Sequence, residues 1–333
     1  MDGMIGDVTD ELLGVFRDPA ILIGIPLALL GAVFMSFGAQ YQHRGVVKVE
    51  RLTGSSGSGG LSGRQLASLL KRPSWVFGSA MLGAAILCQL GALAFAPLIL
   101  VQPLGAISLV ITTLLNARVS GHKPTRQSIR SIIACVGGIF IFVTIAAFVA
   151  TEQEIDEGEL VTILGLLGVV IVIFGVLWAW LRKRGQALFY IVASGVIYGF
   201  VATLAKVVIK RVQAGDFEWL TLLCLVALIA ATAAGAYFVQ TAYSVGPPDL
   251  VIAGLTVIDP IVAVLIGLII LQEAATAPVG AFIGFAVAGA IAIYGVITLA
   301  RNHPQIINDS QELPFRRGST GTPKSGAGED PLV

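Results

Sequence analysis

The chain has 333 residues, is 56% hydrophobic and only 12% charged, with a mean hydropathy of +0.88. Those values exclude an ordinary soluble domain and place the chain with multi-pass membrane proteins. The net charge of +1 says little alone, whereas the distribution of charge along the chain says much more.

The first segment, residues 1–19, is acidic and lacks the basic start of a cleaved signal peptide. It is expected on the extracytoplasmic side. A helix needs about 20 mostly apolar residues to cross the hydrocarbon core. Such runs occur nine times, at roughly 20–41, 74–94, 97–117, 131–150, 160–181, 187–208, 218–240, 249–271 and 278–300. The chain is therefore predicted to be all-α, with nine transmembrane helices. A Gly/Ser-rich loop over 43–72 follows the first span, and a polar tail over 301–333 is expected to be disordered.

Basic residues fix the expected orientation. Seventeen of the 21 lie on one face, in the loops after spans 1, 3 and 5 and in the tail. The opposite face carries the acidic N-terminus and "EQEIDEGE" after span 4. The positive-inside rule then puts the N-terminus out and the C-terminus in, in a cell membrane.

An internal repeat is legible. Gln89 and Pro97 recur 151 residues later as Gln240 and Pro248, and the same offset relates Gly138 to Gly289 and His122 to Glu273. Spans 1–4 (residues 20–150) match spans 6–9 (187–300), with span 5 (160–181) as a linker. One linker span turns the second unit upside down. Inverted repeats with a site near the midplane are a recurring plan of secondary transporters. Gly195/Gly199 and Gly280/Gly284 are pairs four apart, suited to close helix packing.

The run "FAPLILVQPLGAISLV" (95–110), the spacing onward to Cys135 and Gly138, and "ASGVIYGFVATLAKVVIK" with Lys206 resemble the NIPA-like branch of the drug/metabolite transporter superfamily. The resemblance covers about residues 20–300. It implies a 4 + 1 + 4 bundle and, from that branch, magnesium transport. His122 stands where the branch usually has Glu. The run from Asp259-Pro260 to Glu273 is similar instead to the EamA-type repeat of the wider superfamily.

Asp259 is the leading candidate for substrate binding. It lies near the middle of span 8, where an ionised acid costs about 2.5–3.5 kcal/mol on insertion scales. Pro260 frees the carbonyl of Thr256 and bends the helix, so the pair suits a cavity-lining kink or, as the plainer alternative, an acid bonded to a neighbouring helix. Lys206, followed by Lys210, either partners a buried acid or snorkels outward. Gln89, Gln240 and Gln102 suit a polar substrate or interhelical bonds. Pro103 is expected to kink span 3, Tyr198 to supply an aromatic wall, and Glu273, at the outer membrane edge, to be solvated or to act as a gate.

The three cysteines lie in apolar runs without disulfide or metal spacing. No catalytic pair, metal cluster or phosphate loop is legible, so neither an enzyme nor a cofactor is expected. Three functions stay open: a secondary transporter of a small polar or amphipathic metabolite, coupled to protons through Asp259; a magnesium or other divalent cation transporter; and a flippase or non-transporting membrane partner for lipid-linked substrates. The expected partners are the substrate molecule or ion, the bilayer and, as an open alternative, a second copy of the chain in a homodimer. Nucleic acid is not among them.

Overall fold

A computed structural model of the chain describes residues 20–53, 70–120, 125–181, 187–246 and 248–301. The acidic segment 1–19, most of the Gly/Ser loop, His122, His303 and the tail lie outside the described residues. A π-helical turn, Ala20–Gly24, leads into α1 (Ile25–Thr53). Then follow α2 (Pro73–Phe95), α3 (Leu98–Gly105), α4 (Ile107–Ser120), α5 (Arg126–Val149) and α6 (Glu157–Leu181). The second half holds α7 (Ala187–Ala214), α8 (Trp219–Val245), α9 (Pro248–Ile269) and α10 (Val279–Arg301).

Among the described residues there is no strand, and nine helical segments are long and apolar enough to cross a membrane. They match the nine predicted runs within a few residues at most ends. One difference is at α1, which stays helical to Thr53, so the start of the expected loop is a helical extension.

Local chemistry sets the boundaries. Pro73 opens α2, where a missing N–H costs nothing. Thr125 caps α5 by accepting the amide N–H of Ser128 at 3.1 Å. The third span is two helices, α3 and α4. Pro103 lacks the N–H that would bond the carbonyl of Ile99, and its ring crowds the preceding turn. The chain passes through Ala106 on a short-range bond from its N–H to the Pro103 carbonyl, 3.2 Å. Two serines take up backbone groups near the break. Ser108 Oγ donates to Gly105 O at 2.7 Å, and Ser36 Oγ on α1 lies 2.8 Å from the carbonyls of both Ala32 and Ser108. A broken helix at membrane depth survives where neighbours satisfy it in this way. Pro260, by contrast, sits inside a helix that continues past it.

Packing follows the repeat. The helix α1 packs along α2 as α7 packs along α8, and α9 lies on α7 as α3 and α4 lie on α1. The fourth and ninth spans, α5 and α10, pack on each other across the two halves. The repeat mates Gly138 and Gly289 both lie in that interface: Gly138 against Ala288 and Ala292, Gly289 against the ring of Phe142. Along the first span, Gly24 of the π-helical turn and Gly31 and Gly38 of α1 recur every seven residues and face Ala96, Cys88 and Gly78 of the α2 side. Small residues let the backbones approach where lipid leaves little hydrophobic drive between helices. Gly195 and Gly199 do the same on α7, meeting Ile258 and Val262 of α9. Gly284 meets Ile145, while Gly280 faces open space. Large apolar side chains such as Phe140, Val172 and Trp180 are exposed on the outside of the bundle, as lipid contact requires.

Candidate functional site

The helix α9 divides its faces between two surroundings. Ile258 and Val262 seat it on the glycines of α7. Thr256, Val257, Pro260, Ile261 and Val264 line a cleft of about 100 Å³, together with Pro103, Ala106, Ile139, Phe142 and residues of α10. Both prolines predicted to kink their helices thus share one cleft between the two halves. Its walls are apolar except for Thr256, whose hydroxyl is turned to Ile252 O at 2.8 Å.

Asp259 is not part of that lining. It is half-buried, and its Oδ1 is wholly buried without a hydrogen-bond partner. Tyr198 of α7 lies within electrostatic reach of it. The Tyr198 ring rests over Gly235 of α8, where a Cβ would meet it at 3.2 Å. Gln102 is buried in α3, Gln89 is half-buried in α2, and its repeat mate Gln240 is exposed on α8. The glutamines that match in sequence therefore differ in surroundings.

Lys206 is placed away from Asp259, in a second cluster at the end of the bundle that carries the acidic loops. Its side chain is buried, at 2% exposed. Its Nζ donates to Ala96 O and to Glu152 Oε1, both at 2.7 Å, and stands 3.7 Å from Glu273 Oε1. The other oxygen of Glu152 pairs with Lys210 Nζ at 2.6 Å. Among the described residues, no ion pair joins Lys206 to Asp259.

Glu273 is the larger correction. Sequence put it at the membrane edge with solvation as one outcome; the structure buries it to 2% exposed. Its carboxylate caps α3, with Oε1 accepting the Leu98 N–H at 2.8 Å and Oε2 the Ile99 N–H at 2.9 Å. A carboxylate at a helix N-terminus answers both the unpaired donors and the helix dipole. Its backbone is fixed as well: Glu273 N–H donates to Gly267 O at 2.9 Å, and Glu273 O accepts from Thr151 N–H at 2.8 Å. Burial pushes the Glu273 carboxyl above the usual carboxylate range, against the pull of Lys206 and the two amide donors. For Glu152 burial also pushes upward, but Lys206 and Lys210 outweigh it and leave that carboxyl below its ordinary value.

Sequence reasoning missed Glu152 as a partner. The signal was present in part: Lys206 and Lys210 stand one turn apart on α7, and such a pair at a membrane edge calls for an acid in a facing loop. The segment "EQEIDEGE" offers five acids, and nothing in its pattern singles out the first.

Among the described residues, nine helices long and apolar enough to cross a membrane, packed as two matching halves, make the chain a multi-pass membrane protein. The family described as "Magnesium transporter NIPA" matches residues 20–210, and the chain belongs to it. That family is one of membrane transporters and not of enzymes. An uncharacterized protein of Corynebacterium glutamicum is 25% identical over 84% of this chain and 95% of its own length. The probable magnesium transporter NIPA3 of Arabidopsis thaliana is 31% identical over 47% of this chain, and the mouse magnesium transporter NIPA4 is 28% identical over 55%. The chain spans 40% and 46% of the length of those two relatives. No solved structure matches it.

Proposed function

We propose that the chain transports a cation, with magnesium as its cargo, by exposing Asp259 alternately to the two sides of the membrane. The observation that carries this reading is the state of Asp259. It is a carboxylate in the middle of a membrane helix, with one oxygen enclosed and unpartnered, while Lys206, one partner the sequence left open for it, is held by Glu152 and Ala96. A lysine beside the acid would make a poor site for a dication; with Lys206 elsewhere, that objection falls away. Magnesium keeps several of its waters and is usually bound by one or two carboxylates. Among the described residues no group of three or more His, Cys, Asp or Glu could hold a metal ion. A hydrated ion needs only the single acid and nearby dipoles. Tyr198, and the Thr256 carbonyl that Pro260 leaves without its helical donor, supply them.

The sequence also left open a metabolite and a lipid-linked substrate. The apolar cleft between the halves favours the latter. At about 100 Å³ it has room for about three waters' share of liquid volume, and a lipid chain would have to widen it. The cation reading is therefore preferred.

The test is magnesium uptake into proteoliposomes carrying an entrapped Mg²⁺ indicator. Saturable uptake above that of empty liposomes, lost in Asp259→Asn, is expected. No uptake above the empty control would sink the reading.

A further inference from the structure

We propose that Lys206, Glu152 and Glu273 form a latch that closes the acidic end of the bundle, and that α3, hinged at Pro103, is the element it releases. The inference rests on the transport reading above, but not on which ion is carried.

The latch joins four separate segments. Lys206 comes from α7, Ala96 from the junction of α2 with α3, Glu152 from the loop before α6, and Glu273 from the loop between α9 and α10. Both halves of the molecule are tied at one ammonium group. The two carboxylates are held differently: Glu273 is enclosed on the α3 side, whereas Glu152 is about one-third exposed.

Two local features accompany the placing of Glu273 under α3. Gln272, the residue before it, has φ +49°, the one non-glycine with positive φ among the described residues. That conformation is unfavourable for a side chain larger than hydrogen and is kept where the surroundings demand it. Gly267 leaves the space the carboxylate fills, since a Cβ there would lie 2.7 Å from Glu273 Oε2. The helix that Glu273 grips is a separate piece of eight residues, ending where Pro103 interrupts the span. A short rigid element held at one end and broken at the other can swing as a unit, the pattern of hinged closure.

The latch also stands over the proposed ion site. Tyr198, Ala202, Lys206 and Lys210 recur every four residues, so they share one face of α7. Eight residues of helix put Lys206 about 12 Å along the axis from Tyr198. Opening the latch would clear the way to Asp259 from the acidic end. By the basic-residue asymmetry, that end faces outward.

The experiment reads access rather than flux. Cys88, Cys135 and Cys224 are replaced by alanine, and Ala202→Cys is introduced one turn below Lys206. Its labelling by a membrane-impermeant thiol reagent is timed in right-side-out and inside-out vesicles. Losing a charge-assisted hydrogen bond corresponds to about ten-fold or more in the opening equilibrium. Glu273→Gln should therefore speed labelling from the acidic face by at least that factor, and leave the rate from the basic face unchanged. Glu152→Gln, in an exposed loop and less prone to misfolding, should speed it by a smaller factor. Unchanged rates in both variants overturn the latch. So does an equal rise from both faces, which reports loosened packing. Because no magnesium is used, a failed latch and a failed magnesium reading give different results.

Discussion

Gly267 and Glu273 fit one space: a Cβ on the glycine would fall 2.7 Å from the carboxylate oxygen that accepts the Ile99 N–H. Replacing a helical glycine by alanine ordinarily gains about 0.8–1 kcal/mol in propensity. Here the methyl group must displace a carboxylate held by two amide donors, and a hydrogen bond to a charged group contributes about 1.5–3 kcal/mol. The loss outweighs the gain. Gly267→Ala is expected to lower the thermal midpoint of the purified protein. A rise would show that Glu273 moves aside without cost.

Lys206 and Lys210 touch the same carboxylate and should differ sharply on removal. Lys206→Met leaves the enclosed Glu273 without its nearby cation and strips the Ala96 carbonyl of its donor. Breaking a buried pair from one side costs about 3–5 kcal/mol. Lys210 pairs with Glu152 where both side chains are partly exposed, at 26% and 32%, and such a pair contributes under about 1 kcal/mol. Thermal melts of the two single variants check this. Equal losses would mean that Lys206 is no more deeply engaged than its neighbour.

Most of the architecture was readable from the chain, because a bilayer imposes a length and polarity rule that composition reveals directly. The nine spans came from that rule, and the repeat offset that pairs Gly138 with Gly289 came from the recurrence of Gln89 and Pro97. Proline chemistry marked span 3 at Pro103 as a kink, where the fold has two separate helices. The site was only partly legible. Asp259 stood out because an acid in an apolar run is costly wherever it points. The fate of Lys206 did not, since hydropathy places a lysine at a depth but not at an azimuth or beside a partner from a distant loop. Glu273 misled for a related reason. A residue in a polar connection reads as solvated, and only the fold shows that the loop tucks beneath α3.

The pH dependence of the acidic end follows from Glu152. Its folded carboxyl sits below the ordinary value because Lys206 and Lys210 outweigh the effect of burial. A depressed carboxyl contributes stability above its unfolded pKa of about 4.3, and that stability is lost as pH falls through the lower folded value. The difference in melting temperature between the wild type and Glu152→Gln should be full near neutral pH and shrink in acid below about pH 4. A difference that stayed constant through that window would mean that the charge of Glu152 is not what stabilises the loop.

Asp259 separates transport from stability. An ionised acid at the bilayer centre costs about 2.5–3.5 kcal/mol on insertion scales, and its enclosed oxygen has no hydrogen bond to offset that cost. Asp259→Asn removes the charge at nearly constant volume. Magnesium uptake into proteoliposomes should fall by at least about ten-fold, the loss of a hydrogen bond to a charged group. The thermal midpoint should hold or rise. Asp259→Glu, which keeps the charge but moves it by one methylene, should retain part of the uptake. If Asp259→Asn instead melted lower with uptake intact, the carboxylate would be a structural group and the cation site would lie elsewhere in the bundle.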